Sequence, residues 1–168
     1  MKFFLPANGE FSFEEKRSKF FSFCAPAETE AAAKNFVAEI RAAHPRANHN
    51  VFAFCAEKIT RASDDGEPSG TAGIPVLNVF VKKNVVDFVC VVTRYFGGTH
   101  LGTGGLVRAY TKAAQGALEA ASPRELTVYK THKIICEYTN LDKLKYNLDK
   151  NGIEVSEISY TEKCALTV

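Results

Sequence analysis

This chain of 168 residues has no CxxC pair, no strong charge of one sign and no apolar run long enough to span a membrane. Each absence excludes something. Its five cysteines, Cys24, Cys55, Cys90, Cys136 and Cys164, are widely spaced and odd in number, which argues against a disulfide framework or a zinc site. They read as small core residues in a reducing compartment. The opening MKFFLPANGEF carries a short apolar run broken by Pro6, too short for a signal peptide. No later stretch approaches a membrane span. A cytoplasmic protein without membrane association is the expectation. The net charge of +2 is no polybasic field of the kind that advertises nucleic acid. Up to residue 130 there are 16 Lys+Arg against 13 Asp+Glu, and beyond it 5 against 6, so a small excess lies in the first segment. That excess is compatible with an RNA or ribosome contact without requiring one.

What is present is ordinary globular composition, 46% hydrophobic and 24% charged, enough for one good core or for one domain and a small second one. FFSFC (20–24) reads as a strand after a charged segment, residues 14–19. ETEAAAKNFVAEIRAAH (28–44) reads as a helix capped by Thr29 and stopped by Pro45. VFAFC (51–55) is a second strand, and EKITRASDDGEPSGTAG (57–73) reads as loop. In IPVLNVFVKKN (74–84) the β-branched residues favour a strand. Pro75 and the spacing of Ile74, Leu77 and Val81 favour a short helix, which is the expectation. VVDFVCVVTRY (85–95) is the clearest strand and, being apolar almost throughout, a central one. A helix is expected from Leu106 to Ala121.

Ser122-Pro123 marks a boundary. Beyond it LTVYKTHKIICEYT (126–139) alternates like a long strand. NLDKLKYNLDKNG (140–152) reads as a helix ended by Gly152, IEVSEISY (153–160) as a strand, and residues 161–168 as the start of another. This βαββ order is the first part of a ferredoxin-like unit, which would still need a helix and a strand. The open sheet edge it implies favours a homo-oligomer through the second domain.

The stretch RYFGGTHLGTGGLVRAY (94–110) places Gly97, Gly98, Gly102, Gly104 and Gly105 between strand and helix. Strand, glycine loop and helix N-terminus together form the arrangement that receives phosphate. The specific fingerprints fail, however. Gly97 and Gly102 have P-loop spacing, but Thr103 stands where lysine is needed. A Rossmann fingerprint starting at Gly102 would need glycine at Val107. ATPase and dinucleotide chemistry are therefore unsupported, and the alternative is a tight turn packed on the sheet. Arg94, Arg108 and Lys112 flank the loop and would make an anion site. Tyr95 and Phe96 would offer stacking surface, unless they are core and Arg94 pairs with an acid.

The candidate acids are Asp64, Asp65 and Glu67 in SDDGEPSGTAG (63–73). They could hold a magnesium ion beside a phosphate, or act as acid and base. The commoner use of such a turn is for Asp64 or Ser63 to cap backbone amides, and that reading comes first. His49-Asn50 precedes a strand, with no nucleophile placed beside it. His44, His100 and His132 lack metal-ligand spacing.

Four stretches taken together are more specific: KRSKFFSF (16–23), NHNVFAF (48–54), SDDGEPSGTAGIPVL (63–77) and VVTRYFGGTHLGTGGLVRAY (91–110). They resemble the IMPACT, or YigZ-like, family over about residues 12–121. Where members often have Asn-Cys, this chain has Asn50-Val51, which weakens any chemistry by a cysteine there. The resemblance implies an α+β protein. Residues 1–122 would form a ribosomal-protein-like two-layer α/β sandwich. Residues 123–168 would form a partial ferredoxin-like (βαββ) domain similar to domain V of elongation factor G, shorter than the family's version. It further implies a non-enzymatic regulator associated with translation, because eukaryotic relatives act on initiation through a protein partner and bacterial ones are usually linked to nucleic acid or the ribosome. RNA, a ribosomal surface or a regulatory protein would then be the partner, with no catalytic residue, metal or cofactor assigned. The alternative is a metal-dependent phosphate-ester enzyme using the acidic turn and the glycine loop. Under either reading, residues 63–73 and 94–105 are expected to lie side by side, with Arg94 or Arg108 within ion-pair reach of the acids.

Overall fold

The computed structural model describes residues 1–127 and 130–168. Its contacts divide the chain into two units, Met1–Leu126 and Thr127–Val168. The larger is organised by Phe88–Tyr95 (β6), buried at every residue but the last, as its unbroken apolar run requires. It lies at the centre of a five-stranded antiparallel sheet of order β2-β3-β6-β4-β5. The other strands are Gly9–Glu15 (β2), Ser18–Pro26 (β3), His49–Ala56 (β4) and Ile59–Ser63 (β5). Two hairpins flank the centre. Their turns, Lys16-Arg17 and Glu57-Lys58, all have positive φ, the signature of a two-residue type I′ connection. A minor sheet pairs Phe3–Phe4 (β1) with Arg124–Glu125 (β7), which carries the larger unit past Ser122.

Alternate residues of β6 supply two cores. Phe88, Cys90 and Val92 face Gly73–Lys82 (α2) and Thr103–Ala120 (α3), which form the main helical layer with Phe80, Tyr110, Ala113 and Ala117. Val89 and Val91 face the other way, where Glu30–Ala43 (α1) covers them with Ala33 and Val37. The Thr29 hydroxyl accepts the Ala32 N–H at 3.1 Å, so α1 begins where its cap residue predicts.

Several expectations from the sequence need correction. Residues 59–63 are the strand β5 rather than loop, because Thr60 to Ser63 pair along β4. The charged residues 14–19 are the strand ends and turn of the β2–β3 hairpin. Helix α3 starts at Thr103, three residues before its first buried apolar side chain, Leu106, so hydrophobic periodicity could not mark its start. The ambiguous 74–84 segment is helical, as α2.

In the smaller unit, Lys133–Cys136 (β8), Leu141–Lys150 (α4), Glu157–Tyr160 (β9) and Cys164–Thr167 (β10) follow the βαββ order. The sheet order β8-β10-β9 is antiparallel throughout, as in the first three strands of a ferredoxin-like unit. The chain is therefore α+β. Its small core is Leu148, Cys164 and Leu166, with Ile134, Leu144 and Ile158 packed around them. The long strand expected over 126–139 is only β8 among the described residues, and residues 128 and 129 lie outside them. The strand expected over 153–160 begins at Glu157.

Candidate functional site

The two polar loops do meet. Asn48, His49 and Asn50 enter β4 opposite the end of β6, so one short motif touches both loops. The Asn48 side-chain oxygen accepts the Phe96 N–H at 2.8 Å. Asn50 accepts the Thr93 hydroxyl proton at 2.7 Å, and its backbone N–H donates to Asp65 Oδ2 at 2.6 Å. His49 Nδ1 lies 2.9 Å from the Asp65 carbonyl, which can only accept, so the proton sits on Nδ1. That leaves His49 Nε2 facing Glu67 Oε2 at 3.8 Å.

Glu67 is the centre of the polar cluster. Its carboxylate is almost wholly buried, and Oε1 accepts from Arg94 Nη1 at 2.6 Å and from the Tyr110 hydroxyl at 2.7 Å. Burial first, and then the neighbouring Glu67 charge, push the Tyr110 phenol well above its usual value, so it acts as a donor only. Arg94 is itself only 5% exposed. Its Nη2 donates to the Ser18 hydroxyl at 3.3 Å and its guanidinium lies over the rings of Phe20 and Phe96. Its Nε has no partner among the described residues.

The two glycine-rich helix starts are treated differently. Asp64 reaches the start of α2, accepting N–H groups from Gly70, Ala72 and Gly73 at 2.8, 3.0 and 2.8 Å. Burial raises its pKa, but these three amides outweigh that and hold the Asp64 carboxyl below its ordinary range. The Ser63 hydroxyl accepts the Asp65 N–H at 3.2 Å, completing the capping turn that the sequence favoured first. Among the described residues, no side chain caps the start of α3 in this way. Its first internal bond runs from Leu106 N–H to the Gly102 carbonyl at 2.9 Å, so the amides of Thr103, Gly104 and Gly105 have no partner within the helix. Gly102 has φ 73° and ψ 165°, a conformation open to glycine alone. Gly97 is required for a different reason: a Cβ there would strike the backbone of Arg17 and Ser18. The loop is thereby fitted onto the β2–β3 turn, and the Ser18 hydroxyl accepts the Gly97 N–H at 3.3 Å. Gly98 and Gly104 have open surroundings by comparison.

A cleft of about 440 Å³ opens here, lined by His49, Glu67, Arg94, Phe96, His100 and the Gly102-Thr103 start of α3. Arg108 and Lys112 do not line it. They border a neighbouring hollow of about 220 Å³ with Lys16, Glu15 and Phe13, and Lys112 Nζ stands 4.4 Å above the Phe13 ring. The single anion site expected from Arg94, Arg108 and Lys112 is therefore two hollows sharing Leu101. Tyr95 packs inward and its hydroxyl meets His44 Nδ1 at 2.9 Å, whereas Phe96 is 40% exposed. Asp65 Oδ1 accepts from Arg41 Nη2 at 2.7 Å, so all three acids of the turn have protein partners. Among the described residues, no group of three His, Cys, Asp or Glu side chains is placed to hold a metal ion. Nor is any helix long and apolar enough to cross a membrane. Sequence reasoning missed Ser18, Tyr110 and Lys16. A buried tyrosine in an alanine-rich helix reads as core, and a serine in a basic turn reads as surface.

These features define a class: an α+β protein whose acidic turn and open glycine-rich helix start are held together by a buried Arg–Glu–Tyr cluster. The chain belongs to the IMPACT family. The Impact N-terminal domain matches residues 16–118, and a domain of unknown function, DUF1949, matches residues 134–168. The IMPACT family member YvyE of Bacillus subtilis (strain 168) is 38% identical over 157 residues, covering 92% of this chain and 72% of that protein. The IMPACT family member YigZ of Escherichia coli (strain K12) is 40% identical over 133 residues, covering 76% of this chain and 65% of that protein. A solved structure described as that of a hypothetical protein superposes with a TM-score of 0.72 at 33% identity, covering 99% of this chain and 83% of that one.

Proposed function

We propose that this chain is a translation-associated regulator that binds RNA or a ribosomal RNA surface through the face built from residues 63–73 and 94–108. The observation that carries the reading is the uncapped start of α3, with exposed Arg108, Lys112 and Lys16 bordering the adjacent hollow. Unpartnered helix amides and exposed cations suit a phosphate backbone. Half-exposed Phe96 suits a base. Gly98, Gly102 and Gly104 keep the backbone approachable, Gly97 and Gly105 let the loop pack on the β2–β3 turn and on Leu101, and Arg94 anchors it from below. The translational setting comes from what family membership implies. The engagement of Asp64, Asp65 and Glu67 with protein donors supports binding over metal-dependent phosphate-ester hydrolysis.

Fluorescence anisotropy with a labelled single-stranded RNA across a salt series tests this. Three neutralised phosphates give log K against log salt a slope of about −2 on single strands. Arg108→Ala should flatten it by about 0.7 and weaken binding to every sequence alike. Equal affinity for the wild type and a Lys16→Ala, Arg108→Ala, Lys112→Ala variant would overturn RNA binding and point to a regulatory protein as partner.

A further inference from the structure

We infer that the cleft at the start of α3 binds a terminal nucleotide phosphomonoester, carried either by an RNA chain end or by a free mononucleotide. The inference rests on the RNA-binding reading for the chain-end source. The start of an 18-residue helix with free amides is one observation. The second is Arg94, buried to 95%, which lines the same cleft and whose Nε lacks any partner. A buried guanidinium nitrogen without an acceptor is costly, and an anion in the cleft would supply one.

The lining points to a monoester. The Thr103 amide at the head of α3, the buried Arg94 Nε and the His49 ring border one cleft, and an internal phosphodiester, with two free oxygens and one charge, answers fewer of them than a chain end does. A terminal phosphate offers three oxygens and close to two negative charges. The Asp65 carbonyl holds His49 by Nδ1, which fixes the ring at the edge of the cleft. The one carboxylate lining the cleft, Glu67, already has Arg94 Nη1 and the Tyr110 hydroxyl on one oxygen. The ring centroids of Phe96 and His100 lie 5.3 Å apart, a platform for the attached base. A cleft of about 440 Å³ is of the size that holds one small ligand.

The test compares oligoribonucleotides of one sequence with a 5′-phosphate, a 3′-phosphate or hydroxyls at both ends, at fixed salt. Calorimetry with AMP and with adenosine runs beside it. One phosphorylated form should bind at least about tenfold more tightly than the hydroxyl form, the worth of a few charge-assisted hydrogen bonds. AMP binding where adenosine does not assigns the free nucleotide as a source, and AMP failing to bind assigns the chain end. Thr103→Pro removes one amide N–H at the first helical position, where proline is tolerated, and should cut the preference about fivefold. A preference untouched by both Thr103→Pro and His100→Ala would overturn the location. Equal binding of all three oligonucleotides with the salt slope intact, and no AMP binding, would overturn the phosphomonoester site while leaving RNA binding standing. Loss of the slope with AMP still bound would overturn RNA binding and leave the site.

Discussion

The starts of α2 and α3 are both rich in glycine, both edge the same group of loops, and differ in one respect. At α2 the carboxylate of Asp64 closes the amides of Gly70, Ala72 and Gly73. At α3 no side chain among the described residues does the equivalent for Thr103, Gly104 and Gly105. A helix N-terminus carries roughly half a positive charge, and the chain neutralises one while leaving the other to solvent. The acidic turn works as the cap that its sequence favoured first. The glycine loop leaves the amides of Thr103, Gly104 and Gly105 without a partner in their helix.

The largest expected effect falls on the cluster that joins the two starts. Glu67→Ala leaves Arg94 buried without its counter-charge and should destabilise the larger unit by about 3–5 kcal/mol, measured by denaturant unfolding. Next, Asp64→Ala should lower stability by about 1–3 kcal/mol by uncapping α2. The same carboxylate sets an acid limit. Its folded pKa lies below the unfolded value of about 3.8, so its contribution is complete above that value and is lost as pH falls through the folded pKa. Asp64→Asn should remove that part of the acid-side decline in a pH series of unfolding curves. A wild-type-like decline in the variant would break the assignment. The smallest stability change carries the sharpest contrast. Gly104→Asp gives α3 a charge of its own, next to Arg108, at a position with room for a Cβ. Stability should rise by about 0.5–1 kcal/mol while RNA affinity falls, because the new carboxylate occupies the positive end of the helix. A variant that gains stability and keeps its affinity would show that the open start of α3 is not where the ligand sits.

Much of this was legible in the residues. Thr29, Pro45 and the apolar run of β6 placed α1 and the central strand because each signal is local. The β2–β3 and β4–β5 hairpins were not legible. Their type I′ turns are built from Lys16-Arg17 and Glu57-Lys58, with none of the glycine or asparagine that normally marks positive φ. The meeting of Arg94 with Glu67 followed from the shared polarity of two loops. The retreat of Arg108 and Lys112 into a separate hollow did not, because one helical turn rotates their side chains past Leu101 in a way that spacing alone does not reveal. The Tyr110 hydroxyl on Glu67 also lay beyond the sequence, since hydrophobic periodicity reports which face is buried and says nothing of what a polar tip meets there.

The order of the main sheet, β2-β3-β6-β4-β5, has a bearing on how the protein is made. The two outer hairpins leave the ribosome first, and the strand that joins them is translated only at residues 88–95. At about 5–20 residues per second, β3 waits several seconds for its partner. During that interval the nascent chain carries two hairpins, each with an apolar inner edge and no neighbour, the condition in which strands pair with the wrong chain. Arg94, at the end of the late strand, cannot meet Glu67 until the sheet has closed. The pairing of those two side chains therefore marks the closing of the sheet, at a moment when α3, the helix that covers it, has still to be made.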